Sequence, residues 1–303
     1  MNFQVARIFW VLALLCVWCI PAQQLNAAAK PKRILFFSKS SGYEHEVIQR
    51  SGNQLSFAEK VLLQIGEKNN FQFTFSKDGS IFTSNSIAKY DAFFFYTTGD
   101  LTEAGTDGNQ PMSKEGKAAF LKAIESGKGF IGTHSASDTF HSPGNKEHGE
   151  ARFKLDGENI DPYVKMLGAE FIKHGDQQKS HMICTETKFP GFNGVPENFA
   201  PLEEWYSLKN FATNLHVLFV QETSGMKGNM YQRPPYPATW ARIYGKGRVF
   251  YTSMGHREDV WANPVFQEVL VGGINWAVKN AKANVSANID KITPRANELP
   301  PSK

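Results

Sequence analysis

Gly127-Lys128-Gly129-Phe130-Ile131-Gly132-Thr133-His134-Ser135-Ala136-Ser137-Asp138 is the stretch that decides the fold. A short apolar run stops abruptly in small residues, with a histidine at the turn. In an open α/β sheet this is how a buried strand hands over to a helix, and ligands of such sheets bind at the carboxyl ends of the strands. A second run, Arg248-Val249-Phe250-Tyr251-Thr252-Ser253-Met254-Gly255-His256, ends in the same way. The two strand-end histidines are expected to converge on one pocket.

Working outward, Arg33-Ile34-Leu35-Phe36-Phe37-Ser38 reads as a buried first strand. Leu55 to Gly66 has helical spacing, with Leu55, Ala58, Leu62 and Ile65 on one face. Phe71 to Phe75 and Tyr90 to Tyr96 follow as strands. Ser113 is the expected N-cap of a helix that runs to Gly127. Strand and helix alternating with short joints is the pattern of a mainly parallel sheet with helices on both faces. Between Phe140 and Phe211 the pattern lapses into long loops, with a short helix expected near Asp161 to Leu167. It returns at Leu215 to Val220. Pro237 to Tyr244 and Arg248 to Tyr251, joined by Gly245-Lys246-Gly247, predict a hairpin. Pro264 to Lys279 closes the domain as a helix, and residues 282–303 read as a loose polar tail.

The first residues stand apart. Arg7 precedes the apolar run Ile8 to Ile20, which is followed by Pro21 and by Ala27-Ala28-Ala29. A charged start, an apolar core and an A-x-A site make residues 1–29 an expected export signal. The run falls short of the roughly 20 residues that a membrane span needs. The expected mature protein is therefore periplasmic or secreted and free of the membrane, with one α/β domain over residues 30–281. Cleavage would leave Cys184 as the one remaining cysteine of 3, expected to be buried and inert. The net charge is +4 with no basic run, which gives nucleic-acid binding no support.

Several residues carry the chemistry expected of a site. His134, with Gly132 and Ala136 beside it, sits like the residue displayed on a strand-to-helix elbow. In that place it is a general acid or base, a metal ligand, an oxyanion donor or a histidine that merely orients a loop. His256 is followed by Glu258, whose spacing suits a carboxylate that orients the imidazole. In Glu203-Glu204-Trp205-Tyr206 one carboxylate at most faces a pocket, and the two rings suit sugar faces. A core tryptophan beside a solvated pair of glutamates fits the same letters. His45, in the loop after the first strand, lies at the same sheet edge, either exposed or joined to His134 and His256 around a divalent metal. Asp138 extends the polar rim.

Taken in order, Gly42-Tyr43-Glu44-His45, Tyr90-Asp91-Ala92-Phe93, Gly129 to Asp138, Glu204-Trp205-Tyr206 and Gly247 to His256 resemble the ThuA-like (trehalose utilisation) family. The resemblance spans about Lys32 to Lys279. It implies a flavodoxin-like three-layer sandwich of the class I glutamine amidotransferase type. Amidotransferases place a cysteine at the elbow. Here His134 stands there, so glutamine hydrolysis is not expected. The resemblance also implies use of trehalose and related disaccharides through keto-sugar intermediates.

The leading expectation is an exported enzyme that acts on a small sugar, as a hydrolase or lyase. His134, His256, Glu204 and Glu258 would carry the chemistry. His45, Asp138, Trp205 and Tyr206 would bind substrate, with a divalent metal as an optional aid and no other cofactor. A non-catalytic carbohydrate-binding protein on the same fold is the alternative. An interaction domain that uses the Phe140 to Phe211 loops is a third. Oligomerisation stays open.

Overall fold

The computed structural model describes residues 30–146 and 149–302; the expected leader over residues 1–29 lies outside them, as does His148. Twelve strands are found among the described residues: β1 (Lys32–Phe37), β2 (Phe71–Ser76), β3 (Ala92–Phe95), β4 (Gly129–Thr133), β5 (Glu170–His174), β6 (Gln178–Lys179), β7 (Met182–Cys184), β8 (Leu202–Glu203), β9 (Tyr206–Lys209), β10 (His216–Gln221), β11 (Tyr236–Tyr244) and β12 (Gly247–Thr252). The helices are α1 (Phe57–Asn69), α2 (Ser84–Ile87), α3 (Lys114–Glu125), α4 (Pro143–Lys146), α5 (Pro162–Leu167), α6 (Glu258–Trp261), α7 (Pro264–Ala277) and α8 (Ile289–Ile292).

The main sheet has the order β2-β1-β3-β4-β12-β11-β10-β7. Pairings from β2 across to β12 are parallel, and β11, β10 and β7 are added antiparallel. Alternation within β1 shows why the sheet is covered twice. Ile34 and Phe36 join the core under α1 and α7, while Leu35 and Phe37 join the core under α3, α5 and α8. A strand buried on both faces has no polar side to show, which is why it reads as a continuous apolar run. The result is the expected three-layer α/β sandwich.

Local signals hold the elements in register. Ser56 and Glu59 form a reciprocal capping box at the start of α1. The Ser113 hydroxyl accepts the Gly116 N–H at the start of α3, and Asp161 accepts from Tyr163 at α5. The predicted hairpin is β11–β12, turning through Gly245 with φ at 58°.

Three expectations are corrected. The Phe140 to Phe211 segment is not only loops: β5 pairs with β9 and β6 with β8 in two small antiparallel sheets. These strands are two to five residues long, and β5 is bulged between Phe171 and Lys173, so the alternation a reader would look for is broken. The tail is not loose. Ile289 and Ala296 are buried, Asn297 exchanges hydrogen bonds with the Phe211 backbone, and the buried Arg233 guanidinium donates to the Ala296 carbonyl. Cys184 is only half-buried on the edge strand β7, and that partial burial pushes its thiol up.

Candidate functional site

β4 and β12 lie side by side, so their carboxyl ends deliver His134 and His256 to one place. His134 takes a left-handed backbone (φ 44°), a strained conformation for a residue with a side chain. Its neighbours make the bend feasible. A Cβ on Gly132 would stand 3.1 Å from the Ala136 Cβ, so the elbow closes only over small residues. The His134 ring is fully buried, and its Nδ1 lies 3.1 Å from the Ser253 carbonyl, to which it donates.

His256 is aimed by the loop that precedes it. Thr133 Oγ1 donates to the Met254 carbonyl at 2.6 Å, and Tyr96 Oη and Trp261 Nε1 both donate to the Gly255 carbonyl. Gly255 itself sits at φ 122°, where a Cβ would collide with Thr133 Oγ1. Below the loop, the buried Glu203 carboxylate accepts the Gly255 N–H at 2.7 Å and the His256 N–H at 3.0 Å. Burial pushes the Glu203 carboxyl up to about 7, although these two backbone donors pull it down.

Glu204, one residue on, faces the other way. Its Oε2 is 3.3 Å from His256 Nδ1 and 3.6 Å from His134 Nε2, and its Oε1 is 3.2 Å from His174 Nδ1. His256 Nδ1 and His134 Nε2 are 3.3 Å apart. The His45 ring packs edge-on against both, at centroid distances of 4.9 Å and 5.2 Å. One donor atom from each of His45, His134, Glu204 and His256 lies within 4.8 Å of all the others. Three imidazoles and a carboxylate at this spacing are groups able to hold a metal ion.

Burial holds the His45 imidazole well below its ordinary range, helped by the charges of His134 and His256. Burial also lowers His134, with Glu204 partly offsetting it. For His256 burial again works downward, but the bond and charge of Glu204 win and raise it. Burial would raise the Glu204 carboxyl, yet the bonds from His134 and His256 hold it well below the usual carboxylate range. Burial and the Glu204 carboxylate thus drive the rings apart, His45 and His134 downward and His256 upward.

His45, Glu204, His256 and Tyr206 form the floor of a cavity of about 890 Å³, with His134 buried directly beneath them, and its walls include Tyr43, Asp138, Phe171 and Arg257. The Tyr206 ring lies 4.2 Å from that of His134 and its hydroxyl is 3.4 Å from His45 Nε2. Asp138 is backed by His141 Nε2 at 3.0 Å. His141 also reaches the buried Glu170, and although burial opposes it, these two carboxylates raise its imidazole to about 9.

The structure thus places His45, His134, Glu204 and His256 together, with Tyr206 at the floor and Asp138 in the wall. His45 is buried rather than exposed. Glu258 lies on the rim of the cavity and is exposed, and the ring of His256 is met by Glu204, His134 and Gln177 instead. Trp205 is corrected outright: it is wholly buried in the core, with Nε1 donating to the Gln178 carbonyl, and offers no face to a ligand. The exposed aromatic at the mouth is Tyr43, which sequence reasoning quoted but did not place in the site. Of the Glu203–Glu204 pair only Glu204 faces the cavity, as expected of adjacent carboxylates, while His174 and the His141–Glu170 pair were missed. They come from the segment without readable periodicity, where a histidine has no strand end to mark it.

Comparisons agree with this architecture. The family model for ThuA, described as trehalose utilisation, matches residues 33–277. A ThuA-like protein from Bacteroides uniformis ATCC 8492 superposes with a TM-score of 0.60 at 18% identity, over 86% of this chain and 96% of that one. Another from Parabacteroides merdae ATCC 43184 gives a TM-score of 0.55 at 18% identity, over 84% and 92% of the two chains. At such identities the likeness concerns the fold. No curated protein sequence matches the chain significantly.

Proposed function

The chain belongs to the ThuA (trehalose utilisation) family, and we propose that it is an exported enzyme of carbohydrate utilisation acting on a disaccharide or its keto-sugar form. The observation that carries this reading is the convergence of His45, His134, Glu204 and His256, three of which line the floor of one roomy cavity while His134 lies buried against them. Binding alone would not need three imidazoles around an ionised carboxylate. Chemistry beside a carbonyl does, because a proton must be withdrawn while the charge of the resulting enolate is held.

In this reading the sugar enters past Tyr43 and sets a ring ketone over the floor. His256 faces the ketone oxygen and holds the charge that develops on it, with the buried His134 ring behind it at 3.3 Å. The proton leaves the neighbouring carbon to a carboxylate of the centre or its wall, Glu204 or Asp138. A glycosidic oxygen on the next carbon can then depart by elimination, since the enolate supplies the electron pair. This route needs no pair of free carboxylates flanking the bond, which the usual glycosidase mechanism requires. Glu203 is unsuited to that second role, because its oxygens are taken by backbone N–H groups.

Export rests on the leader pattern of residues 1–29. Among the described residues no helix is long and apolar enough to cross a membrane. The test of the function is incubation of the purified protein with trehalose-type disaccharides and their 3-keto forms, with products followed by NMR. Conversion supports the enzyme. Saturable binding without conversion supports the carbohydrate-binding alternative and overturns it.

A further inference from the structure

The hydrogen bonds among the four clustered side chains do not close on themselves. A carbonyl oxygen can only accept, so the 3.1 Å contact with Ser253 fixes the proton of His134 on Nδ1. With its one proton on Nδ1, the imidazole presents a lone pair at Nε2. Nε2 faces the Glu204 carboxylate at 3.6 Å and His256 Nδ1 at 3.3 Å. The opposite tautomer is no better, because it would set a lone pair of Nδ1 against the Ser253 oxygen. A single N–H on His256 Nδ1 must then serve both Glu204 Oε2 and His134 Nε2. Nearby, His45 is 2% exposed, and its Nδ1 has no hydrogen-bond partner at all. Lone pairs thus converge from His134, Glu204 and the buried, unpartnered His45 at the edge of the cavity, an arrangement that suits a cation.

The spacing says which kind. Ligand bonds of about 2.0–2.1 Å to a zinc-like ion place tetrahedral neighbours roughly 3.4 Å apart. The contacts among His134 Nε2, His256 Nδ1 and Glu204 Oε2 are 3.3, 3.3 and 3.6 Å. His45 supplies a fourth donor within 4.8 Å. The Ser253 carbonyl does for His134 what an outer partner does for a ligating histidine elsewhere: it fixes the tautomer and the ring plane.

We propose that His45, His134, Glu204 and His256 bind one divalent first-row transition-metal ion, of the zinc, cobalt or manganese kind. Three imidazoles select against magnesium and calcium, which take oxygen ligands. Binding at His256 Nδ1 moves that ring's proton to Nε2. The ion deepens the function proposed above by supplying the charge that holds an enolate oxygen, and proton withdrawal then passes to the wall, where Asp138 and His174 line the same cavity. Its binding stands or falls without any sugar.

The test uses tag-free mature protein, stripped with chelator and titrated calorimetrically with zinc, cobalt(II), manganese(II) and magnesium. One transition-metal ion should bind per chain, with cobalt(II) developing the intense visible bands of a low-coordinate nitrogen and oxygen site. Magnesium should give no saturable heat. Glu204→Gln and His134→Asn should each weaken cobalt binding at least 100-fold while keeping a cooperative melt, and His181→Ala, at an exposed histidine outside the cavity, should leave it unchanged. Absence of stoichiometric binding in the wild type overturns the proposal, as does equal binding in Glu204→Gln. If Glu204→Gln fails to fold, the cobalt spectrum of the wild type decides alone, because an adventitious surface site would show weak octahedral bands. A metal-binding protein that converts no sugar would sink the proposed function and leave this site intact.

Discussion

The two aromatics that a sugar-binding reading would choose can be told apart by substitution. Trp205 is 0% exposed and Tyr43 is 64% exposed. Trp205→Phe removes the donor to the Gln178 carbonyl, a 2.8 Å bond. An acceptor left unpaired costs about 1–2 kcal/mol, and the space left by the lost ring atoms about as much again. The expected destabilisation is roughly 2–4 kcal/mol, or a fall in Tm of about 5–12 °C for a domain of this size. Ligand affinity should be unchanged, because the ring touches none. Tyr43→Ala should do the reverse. Stability should move by less than about 0.5 kcal/mol at so exposed a position. Losing a ring that stacks on a sugar face costs roughly 0.5–1.5 kcal/mol, a 2- to 12-fold weaker Kd for the disaccharide. Thermal melts with urea titrations read the first quantity, and calorimetry with the disaccharide reads the second. A Trp205→Phe protein that melts like the wild type but binds sugar tenfold more weakly would refute the assignment of Trp205 to the core.

Three further outcomes are expected. His141 is raised to about 9 in the folded protein, so its contribution is complete below about pH 6.5 and is lost as pH climbs through 9. The stability difference between wild type and His141→Gln in urea should shrink by about 3 kcal/mol between pH 6.5 and 9.5, and a difference that does not vary with pH would contradict the pairing with Asp138 and Glu170. Glu203→Ala leaves the buried Gly255 N–H without its acceptor, at a cost of about 1–3 kcal/mol, and should loosen the loop that aims His256, which hydrogen exchange at Gly255 and His256 would reveal as lost protection. Finally, amino-terminal sequencing of protein recovered outside the cytoplasm should begin near residue 30, and an intact Met1 there would count against a cleaved leader.

The sandwich was readable because its strands are extreme. β1, β3 and β4 are buried on both faces, so each is an unbroken apolar run bounded by turn residues, and α1, α3 and α7 carry their caps in plain view. His134 and His256 were legible for the same reason: each closes such a run. Glu204 was legible as one of a pair, but alternation could not say which of the pair turns inward, and the structure gives both a use. A tryptophan beside carboxylates looks amphipathic in one dimension, while the burial of Trp205 is decided by its place in a core that gathers residues distant in sequence, from β1 to α7. His174 and Glu170 lie on a bulged strand whose partner is far away in sequence, so no local period marks them. The tail misled for a related reason. Its few apolar residues are too sparse to form a pattern, yet Arg233 and Asn297 fasten it through backbone carbonyls, whose positions composition does not reveal.

The most direct test of the whole account is turnover at the elbow. The mature protein and its His134→Asn variant, chosen because asparagine tolerates the left-handed backbone at that position, would be incubated with trehalose-type disaccharides and with their 3-keto forms, and products followed by NMR. The account predicts conversion of at least one of them by the wild type, and loss of that conversion in a variant that keeps its melting temperature. A variant as active as the wild type, or a wild type that binds these sugars and leaves every one intact, would contradict it.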